Sequence, residues 1–372
     1  MSQYNKGNMF HSLVINSFCS ESPMSGNTTN IRKIAEAAGV SIASVSRALQ
    51  NPPSPKISEK QRRHILDICT QMQYYPNAHS QRMFTRRANT VVILFPPFSS
   101  ISSDAVTLTV DANFFSCVMG AQSVLAQHGF GLLLNELNEN YLNEKRYQRI
   151  IRSKAVDGIL VWGALSDDAW LPELLKEGIP TVMLQTTVEG CQCPKVVADD
   201  YCGMKELMEK VLKAGLTRIA LAPAFEAAST GQSRNAAVRD TLAAHGMQLI
   251  AEFPEKGYGY EFGRRATAGI LTMAPDVDCI VNSNDMAAWG CVDELRSRRI
   301  AIPKDVSVVG ADGLRFPGDT QIDSFFSPAQ EIGQIGAHLL LDQIDGKEST
   351  ETTVLPVTLV GGNTIKKQEL AK

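Results

Sequence analysis

A chain of 372 residues is longer than one ordinary hydrophobic core organises, which points to two or three domains. The net charge of −3 is uninformative until the chain is divided: from Thr28 to Thr90 ten Lys/Arg stand against three Asp/Glu, and from Val91 onward 25 basic residues stand against 35 acidic ones. A basic head on an acidic body implies a polyanion-binding module joined to something else, and no stretch approaches the ~20 apolar residues of a membrane span.

Residues 1–27 are rich in Ser and Asn without sustained periodicity and are expected to form a disordered leader. The apolar run Met9 to Cys19 is broken by His11, Ser12, Asn16 and Ser17, so it makes a poor export signal and favours a cytoplasmic protein. Met24 lies six residues before Asn30, so translation from Met1 and from Met24 both fit. Eight scattered cysteines form no disulfide framework, and Cys191-Gln-Cys193 lacks the second pair or neighbouring histidines that zinc needs. No metal or cofactor is expected.

In the head, residues 28–75, Ile31, Ile34 and Ala35 recur at helical spacing, and Val45, Ala48 and Leu49 do so after a break at Ala38-Gly39-Val40-Ser41. Gly39 suits a left-handed turn position, Asn30 and Ser41 suit helix caps, and with Val45, Ala48 and Leu49 inward, Ala43, Ser46, Arg47 and Gln50 lie outward. This is the pattern of a helix-turn-helix with its reading face exposed. Asn51-Pro52-Pro53-Ser54-Pro55 must be a loop, after which Ser58 caps a third helix with Ile65, Ile68, Cys69 and Met72 on its apolar face. Residues 76–90 read as a linker whose piece Asn77 to Phe84 is too short to be helical alone.

From Val91 the pattern alternates strands (Val91–Phe95, Gly131–Leu134, Gly158–Trp162, Thr181–Leu184) with helices (Phe114–His128, Leu142–Ile151, Trp170–Glu177). A second set runs through Arg218–Ala222, Cys279–Asn282 and Val306–Gly310. Near-continuous apolar strands between helices mean parallel sheets covered on both faces, so residues 91–372 are expected to form two doubly wound lobes with ligand at the strand carboxyl ends.

Ala-Gly-Val-Ser followed by Val-Ser-Arg-Ala-Leu, with Tyr75-Pro76-Asn77 downstream, resembles the LacI/GalR family of bacterial transcription regulators. The resemblance extends through Val156-Asp157-Gly158-Ile159, Gly178-Ile179-Pro180, Asn284-Asp285-Met286-Ala287, Val308-Val309-Gly310-Ala311-Asp312 and Leu355-Pro356-Val357, and covers about Asn30 to Lys366. It implies an all-α helix-turn-helix head, a hinge helix, and a two-lobed α/β effector region of periplasmic-binding-protein type that forms a homodimer. The implied partners are a near-palindromic double-stranded DNA operator and a small-molecule effector, expected to be a carbohydrate.

Carried over residue by residue, Ile42 and Ala43 fall where bases are read, Arg47 matches the family's arginine, and Met83 falls where the hinge places an apolar wedge in the minor groove. Arg32, Ser46 and Gln50 complete the expected DNA contacts. In the cleft, Arg234 matches an arginine that anchors ligand hydroxyl or carboxylate groups, Tyr258 an aromatic against the ligand face, and Asn284 and Asp312 strand-end groups that share neighbouring hydroxyls. Asp199 and Asp200 match an Asp-Asn pair at the boundary between lobes, where solvation at the surface is the rival account. Trp162, at a strand end, reads either as a ligand-stacking residue or as a packed core residue.

Several residues depart from the pattern. Gln185 replaces the usual aspartate after the Thr181–Leu184 strand, which changes one expected ligand contact to a neutral amide. Lys33 replaces the acid of the first helix's capping box, and the loop Pro96 to Asp111 is long enough to wall the cleft. The whole reads as an effector-controlled repressor and not an enzyme: the six histidines are dispersed, no nucleophile–base pair is evident, and no phosphate loop occurs. The alternative is a periplasmic-type solute-binding protein without regulatory DNA binding, for which the basic head has no use.

Overall fold

The computed structural model describes residues 29–49, 54–74, 87–97 and 112–367. They fall in two compact units, one within residues 1–86 and the other within 87–372.

The first unit contains α1 (Ile31–Ala37), α2 (Ile42–Ala48) and α3 (Glu59–Gln71). Each starts at the polar residue its local chemistry requires. Asn30 Oδ1 accepts the N–H groups of Arg32 and Lys33, both at 3.1 Å, Ser41 Oγ accepts that of Ser44 at 3.1 Å, and Ser58 Oγ that of Gln61 at 3.3 Å. Gly39, at φ 62°, turns the chain between α1 and α2. Ile34, Ala35, Ala38, Val45, Ala48, Ile65 and Cys69 form the core, with Ile31, Leu49, Ile68 and Met72 half-buried around it. In so small a core each cap, contributing about 1 kcal/mol, is a sizeable share of stability. Arg62 also donates from Nε to Ala48 O at 3.3 Å, tying α3 to the end of α2.

In the second unit a six-stranded sheet has the order β11-β5-β4-β3-β1-β2, every neighbouring pair parallel. Its strands are β1 (Thr90–Phe95), β2 (Gly131–Glu136), β3 (Gly158–Trp162), β4 (Thr181–Leu184), β5 (Lys195–Ala198) and β11 (Thr352–Leu355). Packed on one face are α4 (Ala112–Gln127) and α12 (Ala329–Ile344), and on the other α5 (Glu139–Asn143), α6 (Arg146–Arg152) and α7 (Trp170–Leu175). Two glycines let α4 and α12 touch backbone to backbone: a Cβ on Gly120 would lie 2.0 Å from Gln330 O, and one on Gly333 1.9 Å from Cys117 O.

A parallel four-stranded sheet, order β7-β6-β8-β9, comprises β6 (Ile219–Ala222), β7 (Ala251–Glu252), β8 (Cys279–Asn282) and β9 (Ser307–Val309). One of its faces is covered by α8 (Asp200–Lys213) and α9 (Ser229–Ala244), the other by α10 (Tyr260–Met273) and α11 (Asp285–Ser297). A short antiparallel pair, β10 (Ser324–Phe326) with β12 (Thr358–Val360), lies beside β9.

The structure departs from the sequence expectations in three places. The expected helix Leu142–Ile151 is two helices separated at Glu144-Lys145, with Lys145 at φ 47°. Tyr141 and Tyr147 are both buried in one core, and six residues along an unbroken helix would set them about 120° apart. The lobes are also not consecutive halves of the chain. After β5 the chain leaves the first sheet for α8, it returns at Ser327–Ala329 to place α12 and β11, and it leaves again after Leu355 for β12. Finally, the linker expected to reach Thr90 ends earlier. Arg87 donates to Ile344 O and Asp345, and Ala88 N–H donates to Asp157 Oδ1 at 2.8 Å, so both belong to the body.

Candidate functional site

On α2, Val45 and Ala48 face the core while Ile42, 44 % exposed, and Ala43 stand open at the helix start. Ser46 and Arg47 are half-buried on the same side, and Arg32 on α1 is exposed. This is the surface a recognition helix offers to a major groove. Gln50 and Met83, like the leader, the segment 75–86 and most of the loop after Pro97, lie outside the described residues.

In both sheets of the body, strand order reverses next to the first strand of the sheet, between β1 and β3 and between β6 and β8. Backbone groups diverge at such a point, and ligands bind in the crevice beyond it. Segments following β3 and β4 reach the segment following β6 and the start of α9: Ser166 N–H donates to Ala227 O and Thr187 N–H to Ser229 Oγ, both at 2.9 Å. The carboxyl ends of the two sheets therefore enclose one cleft.

Arg234 projects from α9 into the second reversal point. Although only 5 % exposed, it is held on three sides: Nε donates to Asp200 Oδ1 at 2.7 Å, Nη2 to Asp312 Oδ1 at 2.8 Å and Nη1 to Ser283 O at 3.0 Å. The Phe325 ring lies 5.5 Å beneath the guanidinium. Burial works against this charge, yet the carboxylates of Asp200 and Asp312 raise its pKa well above the arginine range. Burial raises the Asp200 carboxyl above the usual range against the pull of Arg234. In this buried cluster the guanidinium and the carboxylates offset one another where water cannot.

Asp312 has φ 119°, a conformation that a non-glycine residue adopts only when its surroundings impose it. Here Asp312 N–H is bonded to Phe325 O at 3.0 Å while its side chain holds Arg234. Next to it, burial raises Asp285 to about 6, with the Leu314 N–H at 2.7 Å among the groups that oppose the rise. Asn284 caps α11, its Oδ1 accepting the N–H groups of Ala287 at 2.9 Å and Gly259 at 3.3 Å. The Tyr258 hydroxyl is buried near Arg234, and burial pushes its pKa up to about 12, so it stays a neutral phenol. Its ring meets that of Phe225 at 5.5 Å.

Around the other reversal point, Trp162 is packed edge-on against Phe114 at 5.0 Å and is 8 % exposed. Its buried Nε1 meets no acceptor among the described residues, so the core-packed indole still carries a donor at the cleft. The Gln185 amide is engaged within the protein. Its Nε2 donates to Ser327 Oγ at 2.8 Å and its Oε1 accepts the Ala198 N–H at 3.0 Å, which binds two of the three chain crossings together. The third is joined by Asp199 N–H to Leu355 O at 2.9 Å.

Asp200 is buried at 3 % exposure, which overturns the surface-solvation account for it, whereas Asp199 is half-exposed and caps α8 through the Cys202 N–H at 3.0 Å. Sequence reasoning did not pair Asp200 with Arg234, nor assign roles to Asp285, Ser283 and Phe225. Arg234 pairs with Asp200 across 34 positions and with Ser283 across 49, which only the fold reveals, and the only available signal was an acid where the resemblance expects an amide. Among the described residues no group of His, Cys, Asp and Glu is placed to hold a metal ion, and no helix is long and apolar enough to cross a membrane.

Fold and cleft together define a two-lobed small-molecule-binding body carried in one chain with a helix-turn-helix head. Residues 106–363 match the family described as periplasmic binding proteins and sugar binding domain of the LacI family, and residues 30–77 match bacterial regulatory proteins of the lacI family. The chain belongs to the LacI family of DNA-binding transcriptional regulators. The ribose operon repressor of Bacillus subtilis is 26% identical over 347 residues, covering 91% of this chain and 99% of that protein. The probable HTH-type transcriptional repressor ExuR of the same organism is 24% identical, covering 88% and 95%. Among solved structures, a lac repressor dimer bound to operator and the anti-inducer ONPF superposes with a TM-score of 0.76 at 20% identity, covering 91% of this chain and 99% of that one. A transcriptional regulator CelR–cellobiose complex gives 0.67 at 24%, covering 90% and 99%. The match of the head leaves the solute-receptor alternative without support.

Proposed function

We propose that this protein is a cytoplasmic, homodimeric repressor whose grip on a near-palindromic operator is controlled by a sugar or sugar derivative in the cleft. The observation that carries the effector half is the buried Arg234, fixed at the strand-order reversal by Asp200, Asp312 and Ser283 in a body joined to a DNA-reading head. Asn284, Asp312, Tyr258 and Trp162 supply acceptors, donors and ring faces of the kinds that bind hydroxyls and sugar rings. Gln185 is proposed as a staple of the crossings, about which the lobes move when ligand enters, and not as a ligand contact. A ligand that prefers one arrangement of the lobes shifts their equilibrium, and with it DNA affinity, by its differential binding to the two states.

Two features support a dimer. Phe115 and Met119 on α4 and Leu133 and Leu134 on the edge strand β2 are each about half exposed, a concentration of apolar surface that a second copy would cover. The lac repressor to which the fold is similar is itself a dimer on its operator. A dimer presents two recognition helices to successive major-groove faces, hence the near-palindrome.

On the DNA side Ile42 and Ala43 offer no hydrogen bonds, so they read thymine methyls and groove shape, and Arg47 is the main polar reader described. Footprinting the full chain on the DNA upstream of its own gene, with titration by sugars, tests the proposal. Arg47→Ala is expected to weaken operator binding by about 1–3 kcal/mol with the fold unchanged. Equal affinity of Arg47→Ala and wild type for operator would remove α2 as the reader.

A further inference from the structure

We propose that Phe225 is a specificity-determining residue of the cleft, and that with Tyr258 it forms an apolar corner suited to the closed ring of a pyranose. This rests on the cleft being the effector site and names the shape of what enters it. Phe225 follows β6, the strand at the second reversal point, and is 38 % exposed. A phenyl ring left in water forgoes the stabilisation of burial, though at a scattered surface position that carries no message. Phe225 is not at such a position. Two residues on, Ala227 O takes the Ser166 N–H from the other lobe, and the Phe225 ring itself meets that of Tyr258, whose hydroxyl is buried near Arg234. The exposed ring therefore lies between the buried cluster and the place where the lobes touch.

The corner is built without a ligand. Asn235 on α9 clamps the residue before Phe225 from both sides, Oδ1 accepting the Ala224 N–H at 3.1 Å and Nδ2 donating to Ala224 O at 3.0 Å. Gly231, one turn earlier on that helix, gives the aromatic pair its room: a Cβ there would lie 2.1 Å from Phe225 O and 2.7 Å from Tyr258 Oη. The Gly257 N–H donates to Pro223 O at 3.0 Å, which ties the loop carrying Tyr258 to the loop carrying Phe225. A site prearranged in this way lowers the ordering cost of binding.

The two rings are tilted by 59° at a centroid distance of 5.5 Å. A flat base would stack on one of them and leave the other unused. A pyranose chair presents an apolar C–H face and an edge to two surfaces at once, while its hydroxyls turn to polar groups such as the Trp162 Nε1–H. An open-chain polyol has no ring face to stack, and it must give up the freedom of several rotatable bonds to lie against one. Phe225 therefore selects for a closed ring, and the buried polar groups beyond it are left to distinguish one ring from another.

The test uses the full chain and pairs a locked ring with its open-chain counterpart: both anomers of the methyl pyranosides of glucose, galactose, mannose and xylose against sorbitol, galactitol, mannitol and xylitol, with adenosine as the flat-base probe. Melting temperature at millimolar ligand identifies binders, and calorimetric titration measures them. At least one pyranoside is expected to bind, with its alditol at least about tenfold weaker. Phe225→Ala is expected to weaken that pyranoside at least about tenfold, Phe225→Leu to stay weak because it fills space without a ring face, and Phe225→Trp to restore affinity to within about threefold, while circular dichroism confirms each fold. An alditol bound as tightly as its pyranoside by the wild type overturns the proposal whether or not the variants fold. Full affinity in a folded Phe225→Ala overturns it as well, as does a Phe225→Leu that binds as tightly as Phe225→Trp. Adenosine bound more tightly than every pyranoside overturns it in favour of a base. Binding of none of these by the wild type overturns the reading of the cleft as a sugar site, a failure distinct from binding without a preference for the ring.

Discussion

The two ends of this regulator handle polar groups in opposite ways. In the head, Arg32, Arg47 and the open start of α2 meet solvent, and these groups, proposed to contact DNA, stand outside the core that holds the fold. In the body, the charged groups of the cleft are themselves buried and bonded, with Arg234, Asp200, Asp285 and Asp312 all below 9 % exposure. The difference follows from the partners. DNA brings its own charge and sheds counterions into bulk water, so its reader can stay solvated until contact. A small ligand is enclosed, so its site must be prearranged in a medium where every unpaired charge is costly. Head substitutions should therefore alter binding more than stability, and cleft substitutions should alter both.

The largest effect should come from Arg234→Ala, which leaves Asp200 and Asp312 buried without their cation. Chemical unfolding of the body should show a loss of about 3–5 kcal/mol. An intact body with only ligand response lost would show that the cluster is not an integral part of the fold.

Asp285→Asn tests the same burial through pH. The folded protein holds the Asp285 proton more tightly than the unfolded chain, with a pKa near 6 against an ordinary 3.8. Its contribution is thus most favourable at low pH, diminishes as pH rises from about 4 to about 6, and is flat above that. The stability of Asp285→Asn minus that of the wild type should rise by on the order of 3 kcal/mol across this window. Parallel stability curves between pH 4 and 7 would contradict the assignment.

Gln185→Ala should cost about 2 kcal/mol, because the buried Ala198 N–H loses its acceptor and Ser327 its donor. If its unfolding curve matches wild type while sugar affinity falls, Gln185 is a ligand contact after all. The smallest effect belongs to the head: Ser41→Ala removes the cap of α2 and should lower the head's stability by about 1 kcal/mol. A loss comparable to that of Arg234→Ala would erase the contrast between the two regions.

Local chemistry made much of this molecule legible in advance. Asn30, Gly39, Ser41 and Ser58 act within three residues of themselves, and each does what its side chain or its lack of one dictates. The buried strands Gly158–Trp162, Thr181–Leu184 and Cys279–Asn282 could be read to the residue, because continuous apolar runs between polar punctuation leave little choice of boundary. The break at Lys145 was not legible, since what bends the chain there is a core that takes both Tyr141 and Tyr147. Nor was β11 legible as part of the first sheet. Val354 is 53 % exposed and the strand is held by pairing with β5, 157 residues away, which no local pattern encodes.

For the helix-turn-helix, then, the sequence by itself determined the local structure: short-range caps, turn and periodicity placed Ala43, Ser46 and Arg47 away from the core. For the cleft it determined only which residue types were available. Tertiary structure decided that Gln185 would staple the crossings and that Asp200 would sit on Arg234, because these roles depend on desolvation and on distances between segments brought together only when three chain crossings close the lobes on each other.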